Sequence, residues 1–431
     1  MTDTLREAVR DRRVLVLGYG REGKSTFHAL LQAGGWAALD VADANPVELE
    51  EPSGHRALSG PGYLDALEDY DLVFKTPGVV LPRPWETYRC RFTSQTEQFL
   101  RRYRGQVVGV TGTKGKSTTT TLIHHVLTTA GKDCLLAGNI GVPMFDIAPQ
   151  IGPSTILAVE LSCHQLEHCS QSPSLAVLLN LYEDHLDHYG TFENYVRAKE
   201  NVYRHQRPED TLYCGPNALP QPGTCPSRVV LIQPDALPFA SLEQVEGAQL
   251  RGAHNLYNCA AARLVCGRFG VDDETFTAAL RTYQPLHHRL EYLGQRDGVD
   301  YYDDSISTTA ESAISAVKSI PNASILLLGG MDRGIEYEEL ADFLLHESHL
   351  DHVVLMYESG RRIEQLLAGR GGANCPLDIR YVPDLYQAAD WVRRNARPGT
   401  ACILSPASAS YGHFKNFEER GEAFKQLIFG K

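Results

Sequence analysis

Paired cysteines are missing from the chain: ten cysteines occur and none forms a Cys-x-x-Cys pair. No leader segment is expected ahead of them, and several lie in apolar runs such as Thr400–Ala401–Cys402–Ile403–Leu404. They are therefore expected to be reduced core residues of a cytoplasmic protein. Long hydrophobic stretches are also missing. Runs such as Leu175–Ala176–Val177–Leu178–Leu179 have strand length and fall far short of the ~20 residues that cross a bilayer, so no membrane insertion is expected. Positive charge is in deficit, with 41 Lys and Arg against 53 Asp and Glu and a net charge of −12. That excludes the broad basic footprint of a nucleic-acid binder and leaves small anionic ligands in a local cleft. Hydrophobic content of 43% and charged content of 22% are ordinary for a soluble protein, and the length allows roughly two to four domains with their own cores.

What is present is most distinctive at Val107–Val108–Gly109–Val110–Thr111–Gly112–Thr113–Lys114–Gly115–Lys116–Ser117–Thr118. An apolar strand breaks into a glycine-rich turn and then opens a helix, with Leu122, Ile123, Val126, Leu127 and Ala130 on one face and Gly131 at the C-terminal cap. Such a turn wraps phosphate with backbone N–H groups at the positive helix N-terminus. Lys116 can neutralise phosphate oxygens and Ser117 can ligate Mg²⁺. The usual P-loop spacing requires glycine where Val110 stands, so the motif is a variant form.

Three segments follow one another. The first, residues 1–104, carries Gly18–Tyr19–Gly20–Arg21–Glu22–Gly23 after an apolar strand, and a later strand ends at Asp43. Taken alone this is the layout of a nicotinamide-binding Rossmann unit, and a hydride-transferring dehydrogenase is one reading of it. A strand ending at Lys75–Thr76–Pro77–Gly78 belongs to the same unit, and the charged stretch 101–105 reads as a linker. The second segment, 105–285, alternates nearly uninterrupted apolar strands with helices, which predicts a mostly parallel sheet covered on both faces. Its strands run into Glu160–Leu161–Ser162 and Asn180–Leu181–Tyr182–Glu183–Asp184–His185, so Glu160 and the Asp184–His185 pair are expected to converge on the phosphate loop. The third segment, 286–431, repeats the alternation as another Rossmann-like unit. Cys163, His164, His168 and Cys169 offer soft ligands close together, but their spacing fits no usual zinc pattern and no zinc site is expected from it.

In order the chain also contains Gly138–Asn139–Ile140–Gly141, Lys199, Gly252–Ala253–His254–Asn255, His288–Arg289, Asp304–Ser305 and Ser405–Pro406–Ala407–Ser408–Ala409–Ser410. Together with the motifs above, this series resembles the Mur ligases over the whole chain. The ending Phe414–Lys415–Asn416–Phe417–Glu418–Glu419–Arg420–Gly421 is most similar to the members that join glutamate to UDP-N-acetylmuramoyl-L-alanine. The resemblance implies an α/β protein of three domains: a Rossmann-like domain for the UDP substrate, a central P-loop ATPase-like domain and a Rossmann-like C-terminal domain. It implies an ATP-dependent ligase working through an acyl phosphate in cytoplasmic peptidoglycan precursor synthesis, and a monomer is expected.

Residue by residue, the resemblance makes Lys116, Glu160, His185 and Lys199 catalytic. ATP would meet Gly112, Thr113, Lys114, Gly115, Lys116, Ser117, Thr118, Asn255, Asn258, Arg289 and Asp304. Asn255 and Asn258 alternatively belong to the polar face and cap of a helix, and Arg289 and Asp304 to an interdomain ion pair. The UDP substrate and glutamate would meet Gly18, Tyr19, Gly20, Asp43, Thr76, Asn139, His185, Thr308, Arg333, Ser410 and Phe417. Two Mg²⁺ ions are implied, one on Ser117 and Glu160 and one on His185 and Lys199. An ammonium cannot ligate a cation, so the family pattern implies a Lys199 carbamate formed with CO₂.

Many members have Asp-Ser-Lys-Ala-Thr-Asn where this chain has Asp304–Ser305–Ile306–Ser307–Thr308–Thr309, so one positive charge beside the glutamate pocket is lost. Arg333 lies near the place of a carboxylate-binding lysine and can grip a carboxylate bidentately. D- and L-glutamate both stay open on this pattern. A different Mur ligase and a folylpolyglutamate synthase are the other readings, and the leading Rossmann-like segment weighs against the latter.

Overall fold

The computed structural model describes residues 1–49, 54–370 and 377–430. Alternating apolar strands and amphipathic helices build three sheets. The first holds β1 (Arg13–Leu17), β2 (Ala38–Asp43), β3 (Ala57–Ser59), β4 (Leu72–Lys75) and β5 (Arg91–Thr93), in the order β3-β2-β1-β4-β5 with every pairing parallel. The chain moves outward from β1 to β3, then returns to β4 on the other side of β1. This reversal opens a crevice at the carboxyl ends of β1 and β4.

The second sheet holds β6 (Val107–Thr111), β7 (Cys134–Gly138), β8 (Ile156–Glu160), β9 (Leu175–Leu178), β10 (Thr211–Cys214) and β11 (Arg228–Leu231). Its order is β11-β10-β9-β6-β8-β7, again parallel throughout. β6 is central, and every residue of β6, β8 and β9 is buried, as the continuous apolar runs predict for a sheet covered on both faces. The helix Lys116–Thr129 packs through Leu122, Ile123, Val126 and Leu127, all fully buried, and Gly131 follows it at φ +73°. Helix Gln95–Tyr103 places Phe99, Leu100 and Tyr103 in one apolar cluster with Met144, Phe145 and Val107, so the first two sheets share a core. The stretch 101–105, expected as a linker, is instead the last turn of that helix and a clamp. Arg104 pairs with the buried Asp210 and donates to the Ser172 carbonyl at 3.0 Å, which fixes the junction.

The third sheet holds β12 (Glu291–Arg296), β13 (Val299–Asp303), β14 (Ala323–Leu328), β15 (His352–Leu355), β16 (Asp378–Tyr381) and β17 (Ala401–Leu404). The order is β12-β13-β17-β14-β15-β16, parallel except for the hairpin of β12 with β13. The chain divides into two units, Met1–Ala240 with Tyr257–Ala279, and Ser241–Leu256 with Leu280–Lys431. No helix among the described residues is long and apolar enough to cross a membrane. Nine cysteines are described and all are unbridged, eight buried and Cys225 half-buried; Cys375 lies outside the described residues.

Candidate active site

The turn after the central strand β6 is held from several directions. Gly115 adopts φ +84°, and a Cβ there would lie 2.4 Å from Asn258 Oδ1, so only glycine fits. Asn180, just beyond β9, clasps the loop: its Oδ1 accepts from the Lys114 N–H at 2.8 Å and its Nδ2 donates to the Lys114 carbonyl at 3.1 Å. Tyr195 is fully buried and donates its hydroxyl to Thr113 Oγ1 at 3.0 Å. Lys116 Nζ donates to the carbonyls of Gly112 and Thr113 at 3.0 and 2.9 Å. Ser117 and Thr118 sit in the first turn of the helix, directly after the loop.

Two charged groups are buried here. Lys199 is 1% exposed on the helix Phe192–Glu200, and its Nζ donates to the Gly112 carbonyl at 2.8 Å and lies 4.7 Å from the Tyr195 ring centre. Burial first, and the nearby Lys116 charge second, push its pKa down to about 7. Glu160 is also 1% exposed and ends β8, beside the loop. Asn139 Nδ2 donates to its Oε1 at 2.7 Å, while Oε2 has no hydrogen-bond partner among the described residues. A buried carboxylate oxygen left unpaired costs free energy unless a cation or donor joins it, so this atom fits a divalent ion at the phosphate loop. His185 is about half exposed and takes the left-handed conformation at φ +52°, uncommon outside glycine and enriched at functional sites.

The crevice of the first sheet is a cavity of about 400 Å³ lined by Gly18, Gly20, Asp43, Thr76, Asn139 and Gln165 among others. Five of the expected substrate residues are thus gathered in it, and Asn139 joins it to Glu160. Asp43 is spent on the turn, its Oδ2 accepting from the Tyr19 N–H at 2.6 Å and its Oδ1 from the Asn45 N–H at 2.8 Å. Tyr19 is not among the lining residues: its ring is buried edge-on to Phe27 in the core. Glu22, in the same glycine turn, was not singled out by the sequence. It accepts from Gln165 Nε2 at 3.0 Å, and burial pushes its pKa up to about 7. A larger groove of about 820 Å³, lined by Lys75, Trp85, His168 and Arg204 among others, holds none of the expected site residues.

In the second unit Asp304 is bonded to the start of the turn after β17, and Ser410 belongs to that turn. Asp304 is 4% exposed; Ser405 Oγ donates to its Oδ2 at 2.7 Å and the Leu290 N–H to its Oδ1 at 3.0 Å. Burial raises its pKa to about 6. Arg289 Nε is buried with no partner among the described residues, a donor available to an anionic ligand. His288 Nδ1 lies 2.6 Å from Asp303 Oδ2, and a Cβ on Gly421 would fall 2.1 Å from that nitrogen, so glycine there is required by the pair. Arg333 is exposed, Thr308 and Phe417 are half-buried, and Ser410 is buried. Asn255 Nδ2 donates to the Arg251 carbonyl at 2.8 Å.

Arg420 holds this turn and escaped the sequence reading. It is fully buried, donating to Ser305 Oγ at 2.9 Å, the Ser305 carbonyl at 2.7 Å and the Ser408 carbonyl at 3.0 Å. A signal existed: Arg420 shares the helical stripe of Gly421, Phe424 and Ile428, all of which face inward.

A strand-loop-helix phosphate cradle, flanked by a buried carboxylate and a buried lysine on a parallel sheet, defines a nucleotide-phosphate-binding α/β protein. The family models for the Mur ligase middle domain and the Mur ligase glutamate ligase domain match residues 110–215 and 288–408. A curated relative from Symbiobacterium thermophilum, named UDP-N-acetylmuramoylalanine--D-glutamate ligase, is 34% identical over 86% of this chain and 86% of its own. Another of that name from Geobacillus kaustophilus is 33% identical over 97% of each chain. The chain belongs to the Mur ligase family. Its fold is similar to the crystal structure of MurF ligase from Thermotoga maritima in complex with ADP, with TM-score 0.61, 17% identity and 99% of each chain covered. It is also similar to that of UDP-N-acetylmuramate-alanine ligase from the same organism, with TM-score 0.59, 18% identity and 96% and 98% covered.

Proposed function

We propose that the protein joins D-glutamate to UDP-N-acetylmuramoyl-L-alanine, forming ADP and phosphate, in cytoplasmic peptidoglycan precursor synthesis. The observation that carries this reading is the convergence of Lys116 and the buried Lys199 on the Gly112 carbonyl, with Glu160 ending the adjacent strand. A carboxylate is a poor electrophile, so its oxygen must first take the γ-phosphoryl group of ATP. The glutamate amine then attacks the acyl carbon, and phosphate leaves from the tetrahedral intermediate. Both steps bring anions together, and Lys116 and the loop N–H groups supply the fixed positive field they need. Mg²⁺, when bound, adds charge neutralisation at the phosphates.

Ser117 and Glu160 are assigned to one ion, which the unpaired Glu160 Oε2 fits. His185 and a Lys199 carbamate are assigned to a second. A lysine whose pKa is depressed to about 7 is neutral often enough to add CO₂, which supports that assignment. The crevice of the first sheet, with Gly18, Gly20, Asp43, Thr76 and Asn139, is assigned to the UDP substrate, together with the neighbouring Tyr19. Arg289, Asp304, Asn255 and Asn258 are assigned to ATP. Thr308, Arg333, Ser410 and Phe417 are assigned to glutamate. We assign domains to residues 1–104, 105–285 and 286–431, and a monomeric state.

The test is phosphate release with ATP, Mg²⁺ and UDP-N-acetylmuramoyl-L-alanine, comparing D-Glu, L-Glu, D-Asp, meso-diaminopimelate and L-Lys. Turnover with D-Glu well above the others is expected. Preference for L-Glu moves the chain to a ligase of the other stereochemistry, and preference for diaminopimelate or L-Lys moves it to another step of the family.

A further inference from the structure

We propose that Cys163, His164 and His185 form a binding site for a soft divalent cation, Zn²⁺ or a close relative, next to the phosphate loop. One ligand atom from each of the three lies within 4.8 Å of the others. Cys163 Sγ is 3.4 Å from His164 Nδ1. A tetrahedral ion with metal–sulfur distances of about 2.3 Å and metal–nitrogen distances of about 2.0–2.1 Å sets neighbouring S and N ligands about 3.6 Å apart, so this edge is already formed. The His164 and His185 rings meet edge to face with centres 4.9 Å apart. The remaining ligand-atom separations are within 4.8 Å, and His185, the exposed member of the three, is the one left to move in closing them.

The local fold holds the two buried-side ligands in place. Cys163 and His164 open the short helix Cys163–Leu166, whose capping box has the Gln165 N–H donating to Ser162 Oγ at 3.2 Å and the Ser162 N–H donating to Gln165 Oε1 at 3.0 Å. Cys163 is 3% exposed, which keeps its sulfur out of bulk solvent, while His185 leaves an open side for a water as fourth ligand. The His188 ring meets that of His164 with centres 4.7 Å apart, and its Nε2 is 3.1 Å from Glu167 Oε2. One sulfur and two imidazoles select a borderline-soft ion over Mg²⁺, which requires oxygen. Binding replaces the S–H proton of Cys163 by the metal and releases that proton to water.

The sequence hides the site because two ligands are adjacent and the third comes after the next strand. The four soft residues that the sequence sets close together do not converge. Cys169 donates to the Gln171 carbonyl at 3.2 Å, and His168 stacks near Trp85 with ring centres 5.0 Å apart. The site draws on His185, assigned above to the second Mg²⁺. A soft ion held there removes that ligand from the reaction, and this consequence rests on the proposed function while the site itself does not.

The chelator-treated full chain, without substrates, is titrated with Co²⁺ as a spectroscopic probe. One equivalent is expected to give a thiolate-to-cobalt charge-transfer band and tetrahedral d–d bands, both lost in Cys163→Ser and in His164→Phe. Absence of the bands from the unaltered chain overturns the proposal, and so does their persistence in either variant, since any of the other cysteines would then be the ligand. If Cys163→Ser loses its far-ultraviolet circular dichroism, His164→Phe decides alone, because that ring is only half-buried. Zn²⁺ is then added to the ligase assay. Inhibition of the unaltered enzyme that His164→Phe escapes supports both site and consequence; cobalt bands without zinc inhibition keep the site and overturn the role given to His185.

Discussion

The phosphate loop after β6 and the turn after β17 occupy the same kind of place, the carboxyl end of a central strand in a parallel sheet, and are built by opposite means. The loop relies on backbone. Its glycines take positive φ, it opens directly into a helix N-terminus, and Asn180, Tyr195 and Lys199 clasp it. The turn relies on side chains. Ala407 takes φ +53° without being glycine. It is over-determined by Arg420, by Tyr337, whose hydroxyl is 2.9 Å from Ser408 Oγ, and by Ser359, which accepts from Ser408 Oγ at 2.7 Å. A phosphate cradle needs many identical donors on one curved surface, which backbone supplies. A pocket for one amino acid needs a few fixed side chains, which a buried polar network supplies.

The contrast is sharpest at Lys199, where the largest effect is expected. Lys199→Ala should lower kcat on the order of a thousandfold, as removal of a group that organises transition-state charge does. A short carboxylic acid in the buffer should restore part of the rate by supplying an anionic oxygen, while Lys199→Arg should stay inactive, because a guanidinium cannot bind a cation. Full activity in Lys199→Arg would make Lys199 a clasp of the loop, like Asn180, and erase the chemical half of the difference.

Arg420 is the corresponding test of the turn. Arg420→Met keeps volume and removes three charge-assisted hydrogen bonds, leaving Ser305 and the Ser408 carbonyl without those donors. The expected loss is about 3–5 kcal/mol, seen as a fall of roughly 10 °C in the unfolding of the second unit. An unchanged Tm would show that Tyr337 and Ser359 suffice.

How much of this was legible follows from which bonds are local. The strand-loop-helix cradle, the burial of β6, β8 and β9 and the place of Glu160 at a strand end all come from patterns within a few residues, and the structure has them where the sequence puts them. Asp43 and Thr76 in one crevice were legible from strand ends, while Asn139 entered only through the family resemblance. Arg104 was misread because composition shows charge but not the partner: its carboxylate, Asp210, comes from a distant part of the chain. Tyr195 was missed for the same reason, since an isolated polar residue gives no local sign that it will be fully buried against a loop far along the chain, whereas Arg420 left a sign in the inward-facing stripe it shares with Gly421, Phe424 and Ile428.

Arg333 probes whether the turn's neighbourhood is a glutamate pocket. It is exposed, and among the described residues it makes no hydrogen bond or ion pair, as a residue awaiting a ligand carboxylate would be. Arg333→Ala should raise the KM for glutamate about tenfold to a thousandfold, the cost of losing a charge-assisted pair, and leave the KM for ATP near its original value. Equal rises in both would return Arg333 to a structural role and blur the division between the two regions.

The smallest expected effect lies at His288, which ties the start of β12 to the end of β13. The hydrogen bond to Asp303 raises its pKa above the usual 6.5, with burial opposing and the charges of Asp303, Glu291 and Glu418 assisting. The folded chain therefore keeps a proton that the unfolded chain gives up. Stability from this pair is complete below 6.5 and is lost as pH rises through the folded pKa. Thermal unfolding of the second unit, followed from just below 6.5 upward, should show the gap between the unaltered chain and His288→Gln narrowing with pH. Among the clasps of the phosphate loop, the Asn180 amide and the Tyr195 hydroxyl carry no charge over this range, whereas Lys199, its pKa pushed down to about 7, titrates with the opposite sense, its burial costing less as pH rises. A gap that stays constant would mean that the imidazole is neutral against Asp303, and that the turn, unlike the loop with Lys199, is held without a titrating charge.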